Sequence, residues 1–77
     1  MIDPMSLTPL YVQVADLVAK RIEDGELQPR RPIPSESHLQ QEYGVARGTV
    51  RQAVRLLRAR GLVVTIPQRG TYVADRP

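Results

Sequence analysis

The 77-residue sequence contains no cysteine, no phenylalanine and no tryptophan. Without cysteine there are no disulfides and no thiolate ligands, so a metal could rest only on His38 and carboxylates; no metal or cofactor is expected. Without Phe and Trp, the only aromatic side chains are Tyr11, Tyr43 and Tyr72, and the interior must be built from Leu, Val, Ile and Ala. A chain this short forms one domain, near the lower limit at which a hydrophobic core alone sustains a fold. No window reaches the ~18 apolar residues of a membrane span, and MIDPMSLTPL lacks both the basic and the apolar part of a leader. The expectation is a cytoplasmic protein with no membrane partner.

An active site is equally poorly supplied. His38 is the only histidine, no nucleophile stands with a base, and the length leaves no room for an enclosed pocket. Neither catalysis nor a small-molecule effector site within this chain is expected.

Lysine is almost missing too: Lys20 stands against ten arginines, for a net charge of +3 and a pI of about 10.0. Arginine suits bidentate contact with phosphates and guanine edges, although such usage also follows from a GC-rich genome. Position must separate these readings. No acidic residue occurs between Glu42 and Asp75, and five arginines fall inside GVARGTVRQAVRLLRARG, residues 44–61.

The elements around that stretch can be read from spacing. Thr8-Pro9 has the form of an N-cap followed by proline at the first helical position. Leu10, Tyr11, Val14, Leu17, Val18 and Ile22 then recur at helical intervals up to Gly25, which predicts a helix over 9–24. Residues 1–7 precede it as an extension, with Met5 an alternative start. Pro29, Pro32 and Pro34 make the next segment a stiff connector with at most a short edge strand near Ile33. Ser35 caps a second helix, 35–43, which stops at Gly44. Only Gly44-Val45-Ala46 separates it from a third, 47–60, and a short helix, a tight turn and a longer helix make a helix-turn-helix. LVVTI and Thr71-Tyr72-Val73, on either side of Pro67-Gln68-Arg69-Gly70, read as a β-hairpin. Residues 74–77 are expected to fray. The fold class is therefore mainly α with a little β: a winged helix-turn-helix domain over 8–73, three helices with a C-terminal hairpin as the wing.

On a wheel of 100° per residue with Arg47 at the origin, Arg51, Arg55 and Arg58 fall at about 40°, about 80° and about 20°. Val50, Ala53, Val54 and Leu57 fall between about 240° and about 340°, a separate apolar stripe. Arg60 lies outside the basic stripe and reads as a complement to the helix dipole. A solvated face is the ordinary explanation for such charge, but here no acid is at hand for i, i+4 pairs. The stripe also lies on the second helix of a helix-turn-helix, whose N-terminal residues meet base edges in the major groove. Arg47 is placed to reach a guanine O6/N7 pair, Thr49 to bond a base or phosphate, and Gly48 to keep that end slim. Arg51 reads a base or clamps a phosphate, and Arg55 and Arg58 meet the backbone. Arg69, with Gly70 permitting the turn, reaches a minor groove or phosphate. The competing class is a winged-helix protein-interaction module, for which exposed aromatic or aliphatic residues are expected rather than arginine.

These residues resemble the DNA-binding domain of the GntR family of bacterial transcriptional regulators. PLYVQVADLVAKRIEDGELQP is similar to that family's first helix and loop, PSESHLQQEYGVARGTVRQAVRLLRARGLV to its helix-turn-helix and PQRGTYV to its wing. The resemblance implies an operator-binding repressor acting as a homodimer on palindromic double-stranded DNA. It assigns the contacts to Arg47, Gly48, Thr49 and Arg51 and to Gln68, Arg69 and Gly70 in the wing; Ser35 and Ser37 at helix 2 are further DNA-binding candidates, Ser37 by bonding a phosphate. The sequence also departs from the family. Ser37 stands for a DNA-contacting arginine, Ala46 for a capping Ser or Thr, and Arg30 for a connector glycine, with Arg30 and Arg31 as candidate replacements for the charge missing at Ser37. Family members usually continue into an effector-binding domain, or sometimes a pyridoxal-phosphate enzyme-like one, so the chain is either a stand-alone domain or the head of a larger regulator.

Overall fold

The computed structural model describes residues 2–75. It contains α1 (Leu10–Glu23), α2 (Glu36–Tyr43), α3 (Arg47–Ala59), β1 (Val63–Ile66) and β2 (Gly70–Val73). This is the winged helix-turn-helix expected from the spacing. Each helix buries one apolar face: Val14, Ala15, Val18 and Ile22 of α1 meet Val50, Ala53, Val54 and Leu57 of α3, with Leu39 of α2 closing one side. Val63 and Val73 bring the base of the hairpin into the same core. Among the described residues every buried side chain is Val, Leu, Ile or Ala, and each of the larger ones contributes ~1.5–3 kcal/mol by leaving water.

Helix 1 starts one residue later than the proline motif predicts. Pro9 holds the cap position without a side-chain hydrogen bond, since its ring offers no acceptor, and Thr8 belongs to the segment before it. Its N–H donates to Ser6 Oγ at 3.1 Å and its carbonyl accepts Gln13 Nε2 at 2.8 Å. The same Gln13 amide brackets Asp3, accepting from its N–H at 2.7 Å and donating to its carbonyl at 2.9 Å. The N-terminal extension is thereby folded back on α1.

The second helix is capped as expected, with Ser35 Oγ accepting the His38 N–H at 3.1 Å. Gly44 ends it at φ 65 and ψ 39, a left-handed conformation that β-carbon sterics penalise in other residues. Arg21 ties α1 to α2, donating to Glu26 at 2.7 Å and, through Nη1, to Glu42 at 3.2 Å and the Tyr43 hydroxyl at 3.2 Å. Partial burial disfavours its charge, but the hydrogen bonds to Tyr43 and Glu26 outweigh that and hold its pKa well above the ordinary value.

The hairpin pairs Val63 with Val73 and Ile66 with Gly70. The connector adds a third rung. Ile33 N–H donates to Thr71 O at 3.0 Å, Val73 N–H to Arg31 O at 2.9 Å and Arg30 N–H to Val73 O at 3.0 Å. β2 is thus central, held on both edges, and β1 is the free edge. Arg69 N–H donates to Ile66 O at 3.0 Å, closing a turn with Pro67 at its second position and Gln68 at φ 65, the type II pattern. Gln68, rather than Gly70 alone, carries the strained part of the turn, while Gly70 at φ 129 lets β2 begin immediately after it. Of the tail expected to fray, Ala74 N–H donates to Leu62 O at 2.9 Å and Asp75 pairs with Arg30 at 2.8 Å; residues 76 and 77 lie outside the described residues.

Ala46 occupies the N-cap of α3 and offers no side-chain hydrogen bond. Ala46→Ser should therefore stabilise the domain by about 0.5–2 kcal/mol. Thermal unfolding should show a melting temperature several degrees higher; an unchanged or lower one would contradict the missing cap.

Candidate nucleic-acid interface

Because α3 turns Val50, Ala53, Val54 and Leu57 into the core, its remaining side faces out. Arg47, Gly48, Arg51, Arg55 and Arg58 are all exposed, whereas Thr49 is half-buried beside the apolar stripe. Ser35 and Ser37 are exposed at the start of α2, and Gln68, Arg69 and Gly70 are exposed at the hairpin tip. Six of the site residues drawn from sequence line two adjoining clefts. One, of about 210 Å³, lies between α3 and the hairpin and gathers Arg51, Arg55 and Arg58 with Thr65 and Thr71. The other, of about 370 Å³, lies between the connector, α2 and the wing, and gathers Ser35, Arg69 and Gly70. Glu36 lines both.

Glu36 is the residue that sequence reasoning missed. Its Oε1 lies 3.2 Å from Arg47 Nε. No local signal could have revealed this, because the partners stand eleven positions apart on different helices. Both side chains are substantially exposed, at 69% and 43%, so the pair is worth only ~0–1 kcal/mol. Glu36 therefore orients Arg47 without locking it, and an anion accepting two hydrogen bonds can take the guanidinium over.

Other arginines also have partners across the fold. Arg60 caps the end of α3 and its Nη1 reaches Asp16 of α1 at 2.9 Å, so it clamps two helices besides complementing the dipole. Arg58 Nη1 donates to Thr65 Oγ1 at 2.7 Å. Arg30 adopts φ 67, a conformation that a glycine enters without cost, and its guanidinium is turned to Asp75 at 2.8 Å. The pairing turns it toward the edge of the hairpin, and with both side chains largely exposed it adds little to stability. Among the described residues no ion pair engages Arg51, Arg55 or Arg69. His38 is exposed on α2, its Nε2 3.6 Å from Glu42. Among the described residues no helix is long and apolar enough to cross a membrane.

The model of the gntR family of bacterial regulatory proteins matches residues 10–73. The chain belongs to the GntR family. This GntR domain is 46% identical over 71 residues to the mannosyl-D-glycerate transport/metabolism system repressor MngR of Escherichia coli K12. It is 40% identical over 73 residues to the HTH-type transcriptional repressor NagR of Bacillus subtilis 168. The alignments take in 92% and 95% of this chain but 30% of each repressor. Among solved structures, the AraR DBD in complex with operator ORX1 superposes with a TM-score of 0.85 at 36% identity, over 96% of this chain and 92% of that one. YtrA from Sulfolobus acidocaldarius, a GntR-family transcription factor, gives 0.88 at 35% identity, over 100% and 81%. As a regulatory domain of this family, the chain is not an enzyme.

Replacing Glu36 with Gln removes the one carboxylate that lines both clefts. It should tighten binding of random-sequence duplex DNA severalfold at low salt, the gain fading as salt rises. Affinity equal to that of the parent at every salt concentration would remove Glu36 from the interface.

Proposed function

We propose that this domain binds double-stranded operator DNA sequence-specifically as the DNA-reading part of a cytoplasmic transcriptional repressor, two copies occupying a palindromic site. The observation that carries the reading is the outward face of α3: Arg47, Arg51 and Arg55 exposed in one stripe, with Glu36 the one acid paired to it among the described residues and Arg69 on the wing lining the adjoining cleft. A helix with its side chains is ~10–12 Å across and the B-DNA major groove ~12 Å wide, so α3 fits the groove along its exposed face. The AraR DBD being bound to operator in its crystal supports the same mode.

Within this reading Arg47 and Arg51, in the first turns of α3, meet base edges, Arg47 by a bidentate contact to guanine. Gly48 allows close approach beside Arg47, and Thr49, half-buried, contributes its hydroxyl to a phosphate or base. Arg55, two turns in, meets the backbone and positions the helix. Ser35 and Ser37 bond phosphates from the start of α2. Gln68, Arg69 and Gly70 meet the minor groove or the adjoining backbone. The domain measures 36 × 25 × 20 Å along its principal axes, about one turn of duplex, and half-sites read by such dimers lie ~34–36 Å apart. A palindrome therefore needs two copies.

Selection of bound duplexes from a randomised pool tests the function directly. Enrichment of a palindrome supports the dimeric operator; a lone half-site leaves DNA reading intact but overturns the homodimer; no enrichment over the input pool overturns the function. A protein-interaction module would show no affinity that falls steeply with salt.

Two substitutions separate reading from anchoring. Arg47→Ala should cost ~1–3 kcal/mol on the selected duplex and relax preference at one base pair, visible as an altered profile on repeating the selection. Arg55→Ala should weaken selected and random duplexes alike and reduce the slope of log affinity against log salt by about one, measured by fluorescence anisotropy. A loss confined to the selected duplex would make Arg55 a reader instead.

A further inference from the structure

Apolar burial anchors the hairpin only at its base, and the connector's backbone hydrogen bonds hold β2 while leaving the β1 edge free. Val63 and Val73, the last pair sunk in the core, face α3, and the next pair outward on that face is polar, Thr65 with Thr71. Ile66 and Gly70 follow, and beyond them the exposed turn. At ~3.3 Å per residue the strand end at Ile66 lies about 10 Å beyond the buried pair, so a swing of about 10° at the base would shift it by about 2 Å. Such a shift exceeds the tolerance of a hydrogen bond. A wing supported only on its β2 edge would present Arg69 over a wider range of positions relative to α3.

One side-chain link opposes that swing. Arg58 Nη1 donates to Thr65 Oγ1 at 2.7 Å, and Thr65 Oγ1 lies 3.0 Å from Thr71 Oγ1, so the guanidinium on α3 is joined to both strands. Among the described residues this is the only side-chain hydrogen bond between α3 and the hairpin. The spacing fits the chemistry: Arg58 stands two turns beyond Arg51 at the end of the basic stripe, where its reach meets β1, the free edge of the sheet. We propose that Arg58 is a positioning residue, which acts through Thr65 to hold the wing at a fixed distance from the recognition helix so that both engage one duplex as a rigid pair. This inference rests on the DNA-binding function proposed above, and it replaces a simple phosphate anchor at Arg58.

Thr65→Val tests it, because the substitution leaves the charge of Arg58 in place, keeps a β-branched residue in the strand and removes only the acceptor. In the free domain, backbone amide order parameters for residues 66–70 should fall while those of the helices stay unchanged; wing order equal to that of the parent would overturn the tether. On the duplex selected by the parent domain, Thr65→Val should weaken binding by about threefold or more with an unchanged salt slope, since no charge is lost. In the Thr65→Val background, Arg69→Ala should cost much less than it does in the parent. Full additivity of Thr65→Val and Arg69→Ala would overturn the proposal, as would an Arg58→Ala variant that lowers the salt slope by about one and loses affinity equally on every duplex. Failure of the parent domain to bind any duplex would instead defeat the DNA-binding reading itself, and the free-domain measurement would still decide the tether.

Discussion

The structure depends on the burial of one stripe of α3 against α1. Val50, Ala53, Val54 and Leu57 are nearly inaccessible, and in a domain with no disulfide, metal or large aromatic residue this aliphatic contact has no substitute. Its consequence for function is geometric. Once those four side chains face inward, the 3.6-residue period turns Arg47, Arg51, Arg55 and Arg58 outward together, and the charge that would oppose folding if buried becomes a continuous exposed surface. The same core receives Val63 and Val73, which sets the hairpin beside that surface and not elsewhere on the domain.

Features whose cause is local could be read from the sequence. Apolar spacing located all three helices to within a residue, Ser35 announced its own cap, the missing cap at Ala46 was visible by inspection, and three prolines confined the connector to an edge. The exception among local signals is Thr8-Pro9, where Pro9 and not Thr8 stands at the cap, the Thr8 carbonyl accepts from Gln13, and the helix starts at Leu10.

Features that arise from contact between distant segments could not be read in this way. The long stretch without acid, Glu42 to Asp75, suggested arginines with nothing to balance them. In three dimensions Glu36 reaches Arg47, Asp16 reaches Arg60 and Thr65 reaches Arg58, none of them close enough in sequence for a helical i, i+4 rule to apply. Likewise Arg30 at a connector position usual for glycine looked like added charge, but its positive φ and its pairing with Asp75 make it part of the hairpin's edge. The arginines that remain without an ion-pair partner among the described residues are Arg31 in the connector, Arg51, Arg55 and Arg58 on α3, the last hydrogen-bonded to Thr65, and Arg69 on the wing.

The central claim is that this outward face, and no other, meets DNA. Amide chemical-shift mapping on addition of a duplex selected by the domain tests it most directly, because it reports on every face of the domain at once. The account predicts the largest shifts at residues 47–51 and 68–70, with smaller ones at 35–37, and little change along the exposed side of α1 around Lys20 and Glu23. Shifts centred on α1 with residues 47–51 undisturbed would contradict it.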